Sequence, residues 1–277
     1  MGATCRVCGF EMRVRGHYAR CAACAYWSSD LERDVRDTSA PDREYELVSY
    51  EHTRRANYAA MLELLAKRHA PGARLLEIGC ADGLFLAMAS DYVALGIEPN
   101  PRMLNGNPFG QEIRIGFFPD ALAGVELRFD VIALHCVFEH VPDVEALIES
   151  LKRHLAPGGT ILINVPVSSG LLFQAARLLR VLGIEYPFDR LWQKGFVSPH
   201  LHYFARGNLA RLFAKHGVGL LDETPLGFFS LGGIYRRLDL DPGIRFAQRM
   251  ATLIALYACY PISRLLPDAR AFLFAVR

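Results

Sequence analysis

Several features are scarce or missing in these 277 residues, and each absence narrows the field. No uncharged apolar run reaches the roughly 18 residues that a membrane-spanning helix needs. The longest candidate, MATLIALYACYPIS at 250–263, is too short and contains Pro261. No secretory leader is visible, because the first residues run into a cysteine pair without an apolar stretch. A soluble, cytoplasmic chain is therefore expected, and in that compartment cysteines stay reduced. An excess of one charge is also missing: 31 basic residues face 29 acidic ones. That balance argues against a broad electropositive face for gripping nucleic-acid backbone, although a local basic patch is compatible with it. Neither an internal repeat nor a low-complexity tract interrupts the chain. Its length suits one large domain with a small appendage, and a 52% hydrophobic composition can fill a sizeable core.

The appendage is legible first. Cys5-x-x-Cys8 and Cys21-x-x-Cys24 stand twelve residues apart, and Gly9 lets the backbone turn back after the first pair. Two such knuckles place four thiolates tetrahedrally around one Zn²⁺, with a short hairpin between them. Four protein ligands leave no open position on the metal, so this zinc is structural. A module of 29 residues lacks a core of its own, and metal binding is expected to supply its folding free energy. Residues 30–55 follow as a charged linker, and 56–277 form the main domain. Its first helix is expected over 57–69, ended by Pro71-Gly72.

From residue 73 apolar strands alternate with helices. Strands are expected at 74–79, 92–98, 112–115, 129–135, 160–165, 218–223 and 271–276, and helices at 84–89, 144–155 and 208–216. Strands that are apolar throughout are buried on both faces, which means a mostly parallel α/β sheet flanked by helices, a Rossmann-like arrangement. Ligands of such sheets sit beyond the carboxyl ends of the strands. The stretch LLEIGCADGLFL (75–86) occupies that place after the first strand. Glu98 ends the next strand, where a carboxylate can accept hydrogen bonds from ribose hydroxyls. A dinucleotide loop asks for three glycines, but Gly79, Ala81 and Leu84 occupy those positions. Ala81 obstructs a pyrophosphate more than it obstructs a slimmer chain.

The same loop has companions: ALGIEPN (94–100), GFFPD (116–120), FDVIALHCVFEHVPD (129–143) and LAPGGTILINVP (155–166). Together, over roughly residues 55–225, they resemble class I S-adenosylmethionine-dependent methyltransferases in order and spacing. The resemblance implies a seven-stranded sheet and S-adenosylmethionine as cofactor. It also implies that Glu77, Gly79, Ala81 and Gly83 line the methionyl part, Glu98 the ribose and Phe117 the adenine. Many relatives carry an acidic residue where Phe117 stands, so Asp120 is the substitute for binding the adenine amino group.

Glu139-His140 follows the fourth strand, at the mouth where the methyl group would point. A histidine there can act as general base, with Glu139 orienting it, or the pair serves packing and cofactor binding alone. The Asn/Asp-Pro-Pro-aromatic motif of many amino-methyltransferases is absent; His135-Cys136-Val137-Phe138 stands in its place. His200 and His202 in SPHLHYF are candidates for the acceptor pocket. Two insertions complete the reading: 168–197 as a lid or a partner-packing helix, and 224–269 as an apolar helical segment. Within the latter, 246–266 covers the site, forms a homodimer face or contacts a membrane peripherally. The favoured function is methylation of a small molecule or glycan, preferably at a sugar hydroxyl. An RNA base methyltransferase that grips RNA through the ribbon, and a non-catalytic interaction module, are the alternatives.

Overall fold

The computed structural model describes residues 4–32, 51–124, 127–227 and 246–277, without the side chains of 248, 255 and 259. Most of the expected linker and the middle of the second insertion (228–245) lie outside the described residues. Strands β1 (Met12–Arg15), β2 (Tyr18–Cys21) and β3 (Trp27–Ser29) form an antiparallel ribbon above the two cysteine knuckles. Helix α1 (Glu51–Ala66) then leads into β4 (Arg74–Ile78), α2 (Leu84–Met88), β5 (Val93–Glu98), β6 (Ile113–Ile115) and β7 (Phe129–His135). After these come α3 (Val144–His154), β8 (Leu155–Pro166), α4 (Leu171–Val181), α5 (Tyr186–Leu191) and the two-residue β9 (His202–Tyr203). The chain closes with α6 (Arg206–Lys215), β10 (Val218–Leu226), α7 (Phe246–Ser263) and β11 (Ala269–Val276).

The main sheet runs β10-β11-β8-β7-β4-β5-β6. Strands β6, β5, β4, β7 and β8 are mutually parallel, and β11 is antiparallel to both of its neighbours. Leu75, Leu76, Val131, Ile132, Ala133, Leu134, Ile161 and Leu162 are fully buried, since helices cover both faces. The chain leaves β4 for β5 and β6 on one side and returns to β7 and β8 on the other. The switch point, where such sheets bind ligands, thus lies at the carboxyl end of β4.

Two features differ from the expectation. Helix α1 begins at Glu51, six residues before the expected start. Its polar first turns read as linker because they lack an apolar stripe, yet Arg55 pairs with Glu51 at 2.8 Å and Arg54 lies over the Tyr58 ring. The ribbon, moreover, is not a free-standing module. Strand β9, from far along the main domain, pairs with β3 through Trp27↔Tyr203 and Ser28↔His202 and adds a fourth strand to its sheet. Val7, Met12, Tyr26, Cys5 and Cys21 are buried in one apolar cluster with Phe138, Phe204, Leu209 and Phe213. From α6, Asn208 donates to the Cys24 carbonyl at 3.1 Å and Lys215 to that of Arg6 at 2.6 Å. The main domain supplies the core that the ribbon is too small to build.

Candidate active site

The loop after β4 is shaped by backbone rather than side chains. Gly79, Ala81 and Gly83 all take positive φ (74°, 48° and 78°), a region costly for the alanine and free for the glycines. The amides of Gly79 and Cys80 both donate to the Ile97 carbonyl, at 2.7 and 3.1 Å, which folds the loop over the end of β5. There Glu98, 6% exposed, accepts from the Ala81 amide at 3.0 Å and from the Asn100 amide at 2.9 Å. Glu98 thereby joins the loop to the strand end at which a ribose is expected.

Beneath the loop lies a buried polar group. Arg54 donates to both oxygens of Asp82, at 3.0 and 2.5 Å, and Asp82 also accepts from the Leu84 amide at 3.3 Å. This arginine was invisible as a site residue because the sequence around it resembles a solvated linker. Its signal is the four-residue spacing to Tyr58, which places both on the core-facing side of α1. Glu77 and His135 meet across adjacent strands at 3.8 Å, longer than a hydrogen bond. Desolvation raises the Glu77 carboxyl well above its ordinary value and lowers His135 to about 3, so His135 is neutral at pH 7. Glu77 Oε2 is buried without a hydrogen-bond partner in the structure. A buried acceptor of this kind, beside a loop of left-handed residues, fits the methionyl end of S-adenosylmethionine.

The second half of the site follows β7. Cys136 takes a left-handed conformation (φ 52°) and its amide donates to Asn164 Oδ1 at 2.7 Å. The following turn brings Val137 against the loop: a Cβ at Gly79 would come within 2.5 Å of Val137 Cγ2. Loop 79–83 and the Glu139-His140 turn are therefore immediate neighbours. His140 Nδ1 lies 2.9 Å from the Pro199 carbonyl and 3.2 Å from Ser198 Oγ. The carbonyl can only accept, so Nδ1 carries a proton and Nε2 is the ring nitrogen that can act as a base.

Glu139 is 1% exposed, neither carboxylate oxygen has a hydrogen-bond partner in the structure, and burial raises its pKa to about 8. His200 packs against His140 with ring centroids 4.8 Å apart, and its Nδ1 meets the Tyr203 hydroxyl at 3.2 Å. Glu139, His140 and His200 each bring one ligand atom within 4.8 Å of the others, a spacing that could also hold a cation.

His202, expected in the acceptor pocket, is placed differently. Its Nε2 donates to the Val141 carbonyl at 2.8 Å, so Nδ1 is the acceptor for Tyr26 Oη at 2.5 Å. It is 2% exposed and joins the ribbon to the main domain. Phe117, 48% exposed, and the exposed Asp120 lie just beyond β6, so Phe117 is not a core side chain. In the ribbon, the Sγ atoms of Cys5 and Cys24 are 3.6 Å apart, and those of Cys8 and Cys21 are 3.4 Å apart. A tetrahedral zinc tetrathiolate has edges of about 3.8 Å, given Zn–S bonds of about 2.3 Å. The four sulfurs fit such an ion.

Residues 50–222, more than half of the chain, match the family described as "Methyltransferase domain". The chain belongs to that family. It is an S-adenosylmethionine-dependent methyltransferase. Over 177 residues the methyltransferase is 35% identical to a protein from Xylella fastidiosa named ubiquinone biosynthesis O-methyltransferase, covering 60% of this chain and 70% of that one. A Xanthomonas campestris protein of the same name is 33% identical over 154 residues, covering 50% and 62%. Among solved structures, a mycolic acid cyclopropane synthase complexed with S-adenosylhomocysteine has the same fold. Its TM-score is 0.52 at 16% identity, with 78% of this chain and 82% of that one covered. Magnesium protoporphyrin IX methyltransferase from Synechocystis, also with bound S-adenosylhomocysteine, gives a TM-score of 0.50 at 12% identity, covering 83% and 86%.

Proposed function

We propose that this enzyme methylates a hydroxyl oxygen of a small molecule, with His140 as the general base. The observation that carries the reading is the contact through Val137, which sets the Glu139-His140 turn beside the loop assigned to the methyl donor. S-adenosylmethionine supplies an electrophilic methyl group on a sulfonium; the protein must position the acceptor and remove its proton. Donation from Nδ1 to the Pro199 carbonyl makes Nε2 the basic nitrogen of the His140 ring. The proton of the acceptor hydroxyl passes to that nitrogen as the oxygen–carbon bond forms and the sulfur–carbon bond breaks, leaving a methyl ether and S-adenosylhomocysteine. Buried Glu139 is protonated at neutral pH, so it shapes the pocket without adding a competing charge.

The expectation of a sugar hydroxyl shifts here to a phenolic one. The relatives' names specify O-methyl transfer in ubiquinone biosynthesis and point away from glycans. A phenol, with a pKa near about 10, also yields its proton to an imidazole more readily than an alcohol does. A screen of phenols and sugars with methyl-labelled cofactor tests the acceptor class. His140→Ala should lower turnover by about 10²–10⁴-fold with cofactor affinity unchanged; undiminished turnover would sink the base assignment.

A structural zinc in the Cys5, Cys8, Cys21 and Cys24 knuckles belongs to the same reading, supported by the closeness of the four sulfurs. Elemental analysis should find one zinc per chain. No helix among the described residues is long and apolar enough to cross a membrane. The exposed Phe246, Ile254, Ile262 and Leu265 in and after α7 support a docking role for 246–266, with a second copy or a membrane surface as partner. Sedimentation equilibrium and liposome co-sedimentation separate those two.

A further inference from the structure

We infer that a cleft between the ribbon and α4 binds a phosphate- or pyrophosphate-bearing small molecule, at a site distinct from that of methyl transfer. The cleft has a volume of about 180 Å³ and is lined by five arginines: Arg13, Arg15 and Arg20 from the ribbon, and Arg177 and Arg180 from α4. No acidic residue lines it. Among the described residues, none of the five is in an ion pair. Asp189 lies behind Tyr18, accepts from its hydroxyl at 2.6 Å and pairs with Lys194 at 3.0 Å.

Arg180 makes the cleft a built site rather than a charged surface. It is only 8% exposed. Its guanidinium donates to the Arg15 carbonyl at 2.9 Å and lies over the Tyr18 and Phe188 rings at 4.8 and 4.9 Å. Its Nε is buried without a hydrogen-bond partner in the structure, and so is that of Arg20, whose guanidinium lies 5.7 Å from the Trp27 ring centroid. Asp189 attracts this guanidinium only from beyond ion-pairing distance and is itself held by Tyr18 and Lys194, so a largely buried cation is left under-compensated, and a bound anion would reduce that penalty.

Charge and size select the ligand. A single carboxylate neutralises one of five guanidiniums, whereas a phosphate or diphosphate offers several charges and the oxygen geometry that arginine forks match. The volume suits one or two phosphate groups and not a length of nucleic-acid backbone. The site is independent of which acceptor is methylated. It is nevertheless physically linked to the acceptor side, since Trp27 is paired with Tyr203, whose hydroxyl meets His200.

Titration calorimetry of the intact, metal-loaded protein with pyrophosphate and with inorganic phosphate tests this. One-to-one binding is expected, tighter for pyrophosphate, weakening with added salt and unchanged by saturating S-adenosylhomocysteine. The triple variant Arg13→Gln, Arg15→Gln, Arg177→Gln alters exposed side chains only. Losing three charge-assisted contacts should weaken pyrophosphate binding by about tenfold or more. Arg180→Lys, which keeps the charge and loses the fork, should weaken it in a protein whose melting temperature confirms folding. Absence of saturable pyrophosphate binding at millimolar concentration, equal binding by the triple variant, or displacement by S-adenosylhomocysteine overturns the inference. So does far tighter binding of single-stranded RNA or of anionic vesicles, which would make the cleft part of a larger surface.

Discussion

Arg54→Ala is the most telling substitution, because one side chain holds Asp82 at the underside of loop 79–83, the loop proposed to bind the cofactor. The Arg54 and Asp82 side chains are 15% and 11% exposed, so removing the arginine strands a largely buried carboxylate. Loss of one partner from a fully buried pair costs about 3–5 kcal/mol. Residual exposure and the Leu84 amide, which still bonds Asp82, reduce that, while the lost stacking on Tyr58 at 5.6 Å adds about 0.5–1 kcal/mol. A net loss of about 3 kcal/mol should lower the melting temperature by roughly 5–10 °C for a chain of this size. Loop 79–83 loses its support as well, and S-adenosylmethionine affinity should fall at least about tenfold, equivalent to about 1.4 kcal/mol. Scanning fluorimetry and calorimetry measure the two effects, and a cycle with Asp82→Ala should show coupling of about 1 kcal/mol or more. Melting within about 1 °C of wild type, together with unchanged cofactor affinity, would show that Arg54 does not support the loop.

Three other outcomes follow from the geometry. Stripping the zinc proposed for the ribbon with a strong chelator should destabilise the whole chain in a single transition, because the ribbon shares its core with the main domain; a separate early transition in calorimetry would contradict this. His202→Ala leaves Tyr26 Oη and the Val141 carbonyl without a partner in a buried setting, at about 2–4 kcal/mol, and Tm should fall before any acceptor constant is considered. Burial lowers His135 from 6.5 to about 3, so between those values the unfolded chain takes up a proton that the folded chain refuses. Stability from this residue is complete above pH 6.5 and is lost as pH falls towards 3. His135→Gln should flatten that acid limb by on the order of 3 kcal/mol at pH 4 relative to neutral, read from denaturant midpoints.

What the sequence by itself determined rests on local patterns. Apolar runs of five to seven residues marked β4, β5 and β7, and Gly79 and Gly83 marked the turn between β4 and α2, because left-handed backbone is costly for other residues. Two Cys-x-x-Cys pairs announced the knuckles whose sulfurs lie within 4.8 Å of one another. The Glu139-His140 turn was expected after the fourth strand at the mouth of the sheet, and the parallel pairing of β4 with β7 sets it beside loop 79–83. What only the tertiary structure decided depends on contacts between residues far apart in the chain. Arg54 reaches Asp82 across 28 positions, and the Tyr26–His202 bond spans 176. Strand β9 is two residues long, too short to carry a periodic signal, and it exists because β3 offers an edge to pair with. The five arginines of the cleft come from two segments more than 150 residues apart and resemble ordinary surface charge in either one. Only the packing of the insertion on the ribbon brings them together, around a guanidinium that is buried because Tyr18 and Phe188 enclose it.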